Sequence, residues 1–153
     1  DAQTRRRDAN GKYLNRQLSQ IPGIRPLPRG KDVTRHSYHL YVFRYSSEVF
    51  GGVSRQDFLR AVQAEGVPCS PGYTLPLYRQ EMFTKMRFGP YTGYRHGRGN
   101  IDYAKSDCPV CERACAGEAC WLTQNMLLGT RRDMDDIVRA IGKVYENRKE
   151  LRR

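Results

Sequence analysis

The stretch Ser37–Tyr45, SYHLYVFRY, decides the fold. It alternates with period two, placing Tyr38, Leu40 and Val42 on one face and Tyr41, Phe43 and Tyr45 on the other. Large apolar residues on both faces predict a central strand covered on both sides by helices. Upstream, Asp1 to about Leu18 reads as a helix, with Tyr13, Leu14 and Leu18 at helical spacing. Asn10-Gly11 is a weak spot inside it, and Pro22-Gly23 stops it. Arg25 to Asp32, with two prolines and a glycine, reads as an extended connection.

Downstream, Ser54-Arg55-Gln56-Asp57 resembles a capping box in which Asp replaces the usual Glu. Phe58, Leu59 and Val62 form the buried stripe of the helix that follows, and Gly66 ends it. Val67 to Ser70 is a short extended piece, and Pro71-Gly72 turns into the aromatic run Tyr73–Tyr78. Arg87–Asp107 is rich in Gly, Arg and Tyr, without periodicity, and reads as a long loop. Val110–Cys115 predicts a short helix and Ala119–Leu122 a strand. Thr130-Arg131-Arg132-Asp133 opens a closing helix whose face is Met134, Ile137, Val138, Ile141, Val144 and Tyr145. The charged tail from Arg148 is expected to fray. This order predicts an α/β or α+β layer: a small mixed sheet packed with helices.

The 153 residues suffice for one hydrophobic core, and 28% charged with 10% aromatic residues is a globular composition. No apolar run is long enough to span a membrane. The chain opens on Asp1 in charged, helix-like sequence, as expected of one that begins mid-protein, without a signal-peptide pattern. A formal net charge of +11 favours anionic partners: nucleic acid, phosphorylated small molecules or an acidic neighbouring domain. The five cysteines, an odd count, read as free thiols of a cytoplasmic protein.

Three features carry candidate chemistry. The first is the cysteine run Cys108, Cys111, Cys115 and Cys120, whose thiolates suggest zinc or an iron–sulfur cluster. It lacks two separated Cys-x-x-Cys knuckles, and it crosses from predicted helix to predicted strand, so no metal ligand is assigned. The second is the basic aromatic loop with Arg87, Tyr91, Tyr94, Arg95, His96 and Arg98, which suits phosphates and stacked bases. No nucleic-acid-binding motif accompanies it. The third is the set of three histidines, where His36 and His39 flank a strand start and read as packed or edge residues. Glu112 with Arg113 reads as a surface or ion-paired couple. No nucleophile elbow, phosphate-binding glycine loop or paired hydrolase carboxylates occur.

Several segments, in order, resemble the C-terminal region of the DegT–StrS pyridoxal-phosphate sugar aminotransferases. They are NGKYLNRQLSQIPGI (Asn10–Ile24), SYHLYVFRY (Ser37–Tyr45), SRQDFLRAVQAEGVP (Ser54–Pro68), SPGYTLPLYRQEMF (Ser70–Phe83), CPVCERAC, CWLTQNMLLG and DMDDIVRAIGKV (Asp133–Val144). The GY…PLY form is most similar to the branch that aminates cyclitols and related sugars. In that pattern the cysteine run has no ligand role, although Cys111 and Cys120 depart from it.

The resemblance implies a C-terminal small domain like those of fold-type-I aminotransferases, with residues 1–24 as a linking helix and turn and 25–153 as the domain. It implies an absent N-terminal domain that holds pyridoxal phosphate on a lysine, and a homodimer when complete. Amino transfer would run from glutamine or glutamate to a keto sugar or keto cyclitol. None of Lys12, Lys31, Lys85, Lys105, Lys143 or Lys149 matches the cofactor lysine, so no catalytic residue is assigned here, and no cofactor is expected on the isolated chain. The segment Gly72–Tyr78 would face substrate, with Tyr73 and Tyr78 bonding its hydroxyls, and Gln124 and Asn125 would point to the cleft from a strand end. The alternatives are a stand-alone basic nucleic-acid-binding module and a Cys-ligated metal-binding interaction domain.

Overall fold

Among the described residues, three short strands carry the fold. In the computed structural model, which describes residues 1–86 and 102–151, these are β1 (Ile24–Pro26), β2 (Leu40–Tyr45) and β3 (Ala119–Thr123). They lie in the order β1-β2-β3, and both pairings are antiparallel. The expected small sheet under helices is present, and its mixed character resolves into these antiparallel ladders among the described residues. Register places Tyr41 opposite Leu122 and Phe43 opposite Cys120. A single bridge, Ser70 to Trp121, adds to the far edge of β3, with N–H···O distances of 3.0 and 2.9 Å.

The helices are α1 (Ala2–Leu18), α2 (Arg55–Ala64), α3 (Glu81–Thr84), α4 (Pro109–Arg113) and α5 (Arg131–Glu146). The contacts divide the chain into two units. One is Asp1–Gly72 together with the chain from Gly117 onward; the other is Tyr73–Ala116. The first unit holds the sheet, α1, α2, α5 and the core.

The predicted starts and stripes hold. Ser54 caps α2 by accepting from the Asp57 N–H at 3.1 Å, and Thr130 with Asp133 forms a full capping box on α5. The buried residues of α2 are Phe58, Leu59 and Val62. Those of α5 are Met134, Ile137, Ala140, Ile141 and Val144, with Val138 and Tyr145 packed alongside. Tyr45 stacks on Phe58 with ring centroids 4.4 Å apart, and Phe50 meets Phe58 and Tyr145 edge-on at 5.3 and 5.2 Å.

The central strand departs from expectation in two ways. It starts at Leu40 rather than Ser37, because Tyr38 has φ 46°, which breaks the period of two. Tyr38 therefore leaves the Leu40–Val42 face and is buried elsewhere, its ring 4.0 Å from His36 and 5.7 Å from Tyr41. Burial is also one-sided. Tyr41, Phe43 and Tyr45 are fully buried, whereas Leu40 and Val42 are half-buried and Arg44, on their face, is exposed. An ionised guanidinium requires water or a partner, and Glu118 supplies the partner at 2.9 Å.

The weak spot in α1 is a contact site. Asn10 is buried, and its Nδ2 donates to the carbonyls of Leu127 and Gly129 at 2.9 and 3.0 Å. Gly11 lies against the Tyr38 ring, where an added Cβ would sit 2.4 Å from a ring carbon. Nearby, Asp8 is buried and paired with Arg29, with Lys12 at 3.0 Å and with the His36 N–H at 3.1 Å. Burial pushes its carboxyl up, but the bonds from Arg29, Lys12 and His36 overcome this and hold it at about 2.

The second unit has 3-10 turns at Leu77–Arg79 and Tyr103–Lys105 besides α3 and α4, and α4 runs on into a π turn at Ala114–Glu118. Most of the expected loop 87–107, including Arg87, Tyr91, Tyr94, Arg95, His96 and Arg98, lies outside the described residues. Among those described, no helix is long and apolar enough to cross a membrane.

Gly11→Ala is expected to lower the melting temperature by several degrees, since the Cβ drives into a buried ring. A melting curve unchanged from the parent would refute that packing. The lowered carboxyl of Asp8 contributes stability that is complete above pH 4 and is lost as pH falls toward 2. Asp8→Asn should remove about 2 kcal/mol of that acid-dependent stability in urea titrations run at pH 2 to 6.

Candidate functional site

In the second unit, the Tyr78 hydroxyl donates to Glu112 Oε1. The Arg79 guanidinium reaches the same oxygen at 2.8 Å. Tyr78 and Arg79 belong to one 3-10 turn and Glu112 to α4, so two elements converge on one carboxylate. Glu112 is thus ion-paired with Arg79, a cation that the sequence reading, which coupled Glu112 with Arg113, did not name. Its acceptance of the Tyr78 proton, reinforced by burial and by its charge, raises the phenol above its ordinary value. The phenol therefore stays protonated at neutral pH and holds a fixed direction. Tyr73, in the same unit, is 69% exposed.

The other two sequence-predicted residues belong to the first unit. Gln124 and Asn125 form the turn after β3, whose backbone bonds run from Leu127 to the Gln124 carbonyl and from Leu128 to the Asn125 carbonyl, at 3.2 and 3.0 Å. Both side chains are exposed. Asn125 precedes the 3-10 turn Met126–Leu128 without capping it through its side chain. Asn125 is among the residues that line a depression of about 370 Å³, with Val67, Met126, Asp133 and Ile137. The structure thus groups Tyr73 with Tyr78 in one unit and Gln124 with Asn125 in the other.

Sequence reasoning missed Arg79 as a partner of Tyr78. The pair is adjacent in sequence, but its meeting point, Glu112, is not, and no local period signals it. The cysteines also separate by environment. Cys120 is buried in the core, where hydrogen bonding to Cys69 and burial push its thiol up. Cys108 and Cys111 are exposed. Among the described residues, no three His, Cys, Asp or Glu side chains converge as metal ligands.

The six lysines are all exposed, and Lys12, Lys85, Lys105 and Lys143 are ion-paired with Asp8, Glu81, Asp102 and Glu65. A lysine that carries an aldehyde cofactor is deprotonated by desolvation or a neighbouring cation. No lysine here is buried away from water.

The chain resembles known proteins along nearly its whole length. It is 31% identical over 156 residues to a putative L-glutamine:3-amino-2,3-dideoxy-scyllo-inosose aminotransferase of Streptomyces kanamyceticus, covering 99% of this chain and 36% of the relative. A protein of the same description from Streptoalloteichus tenebrarius is 35% identical, with 95% and 36% covered. An L-glutamine:2-deoxy-scyllo-inosose aminotransferase of Micromonospora echinospora is 30% identical, with 99% and 35% covered. The chain therefore spans about a third of the length of the curated relatives it matches. The fold is similar to that of 3-amino-5-hydroxybenzoic acid synthase, with a TM-score of 0.70 at 19% identity over 96% of this chain and 35% of that one. Residues 1–142 match the DegT/DnrJ/EryC1/StrS aminotransferase family, and the chain belongs to that family.

Proposed function

We propose that this chain is the C-terminal small domain of an enzyme that transfers an amino group from glutamine or glutamate to a keto cyclitol or keto sugar. The observation that carries this reading is the match of 95% or more of the chain to glutamine-dependent scyllo-inosose aminotransferases that are about three times its length. In the complete enzyme, pyridoxal phosphate supplies the chemistry that carries the amino group between substrates. No lysine of this chain lies in a sequence context that matches the cofactor lysine of the family, which supports placing the cofactor in an N-terminal domain that residues 1–24 would join to this one. The whole enzyme is a cytoplasmic homodimer, inactive without that domain.

This chain's own part is recognition of a hydroxyl-rich ring. The Tyr78 phenol, a donor to Glu112 that also accepts from the Cys108 backbone N–H, keeps one lone pair with which to accept from a substrate hydroxyl. Tyr73, in the same unit, adds an exposed ring face and a phenol; Gln124 and Asn125, in the other unit, are separate candidates with amide donors and acceptors of their own. Unsatisfied surface supports a larger protein around this one. Among the described residues, six of the nine exposed large apolar side chains lie in the second unit: Tyr73, Leu75, Leu77, Met82, Met86 and Val110. Gathered into one contiguous patch, such side chains would mark an interaction surface.

The test is amination of 2-deoxy-scyllo-inosose by the full-length protein with glutamine as donor. Failure to aminate any keto cyclitol or keto sugar, with the cofactor bound, would sink the reading. Tyr78→Phe should raise KM for the keto substrate about tenfold with kcat little changed, the loss of roughly one hydrogen bond made equally in ground and transition states. An unchanged KM would remove Tyr78 from the binding surface. In Glu112→Gln, tyrosine carbon NMR should show the Tyr78 titration moving down toward 10.

A further inference from the structure

Cys108 and Cys111 occupy special positions on α4: Cys108 is its N-cap and Cys111 is the third helical residue. Side chains at these two positions meet across the first turn of a helix. This protein shows that twice elsewhere. In α5 the Thr130 hydroxyl lies 2.8 Å from Asp133 Oδ2, and in α2 the Ser54 hydroxyl lies 2.5 Å from Asp57 Oδ2. Each is an N-cap residue touching its third helical residue. The Cys108 side chain makes no capping bond, so its sulfur is not committed to the helix backbone. Pro109 follows and fixes the backbone at the first helical position. Both thiols are exposed, in contrast with Cys69 and Cys120, which are 3% and 0% exposed in the core.

We propose that Cys108 and Cys111 form a reversible disulfide by exchange with a small-molecule disulfide of the glutathione class. Helical neighbours three apart have Cβ atoms about 5–6 Å apart and a disulfide takes 3.5–4.5 Å, so the two sulfurs reach bonding distance by side-chain rotation together with a small backbone adjustment at the N-cap, where Cys108 has φ -130° and ψ 72°. One cysteine thiolate attacks a sulfur of oxidised glutathione, forms a mixed disulfide and expels one glutathione thiolate. The second cysteine thiolate attacks the protein sulfur of that mixed disulfide and expels the other. The protein gives up two electrons and two thiol protons, and one oxidised glutathione becomes two reduced molecules. The cross-link braces the turn that carries Glu112, the carboxylate shared by Tyr78 and Arg79.

The experiment uses the native protein, reduced, desalted and incubated with oxidised glutathione. Free thiols are then alkylated in denaturant, and the protein is digested with trypsin. Cleavage after Lys105 and Arg113 leaves both cysteines in one peptide, SDCPVCER. The expected result is that peptide two hydrogens lighter than the dithiol and unalkylated, restored by reductant, with Cys69 and Cys120 alkylated as free thiols. In Cys111→Ser, an exposed position, the expected result is a glutathione adduct retained on Cys108. Separate glutathione adducts on both cysteines of the parent, a link to Cys115, or no reaction under conditions that oxidise a control dithiol peptide would each overturn the proposal.

Discussion

The pairing of Leu40–Tyr45 with Ala119–Thr123 is the constraint on which the first unit depends. It joins strands from the first and last thirds of the chain. Closing so long a loop costs only slightly more entropy than closing a short one, because the cost grows with the logarithm of length. Burial offsets it. Tyr41, Phe43, Tyr45, Cys120 and Leu122 leave water together, and each large side chain contributes roughly 1.5–3 kcal/mol when fully buried. The helices then have one apolar face to cover, and the stripes of α1, α2 and α5 cover it. Pairing also fixes the turn after β3, so the positions of Gln124 and Asn125 follow from strand register.

A polar cluster supports this core from the side of α1. Asp8 gathers Arg29, Lys12 and the His36 N–H, while Asn10 satisfies two carbonyls beside the Met126–Leu128 turn. A buried carboxylate without such partners would be strongly destabilising. With them, it ties the segment before β2 to the helix. That segment ends at Tyr38, whose unusual backbone allows its ring to fill the space left by Gly11. Gly72 serves similarly at the other edge. It has φ 73°, and an added Cβ there would sit 2.9 Å from the Trp121 ring. Residues that weaken isolated helices or strands thus sit where two parts of the chain approach most closely.

The second unit is built on different terms. Its helices are short, and it has no fully buried large side chain among its described residues. Its order comes from polar convergence on Glu112 and from the edge-on contact of Phe83 with Tyr103 at 5.2 Å.

The sequence by itself determined the helix starts, their buried stripes and the presence of the strands β2 and β3, because capping and periodicity act within a few residues. Ser54, Thr130 and the run Met134–Val144 carry their meaning locally. Resemblance in ordered segments added the family and singled out Tyr73, Tyr78, Gln124 and Asn125. Tertiary structure alone decided that the sheet buries one face, that Tyr38 leaves its strand, and that Asn10 and Gly11 are contacts. It also decided that Glu112 joins Tyr78 to Arg79, and that the cysteines divide into a buried pair and an exposed dithiol. Each of these depends on which distant residue arrives opposite, and pairing across tens of residues leaves no period in the local sequence.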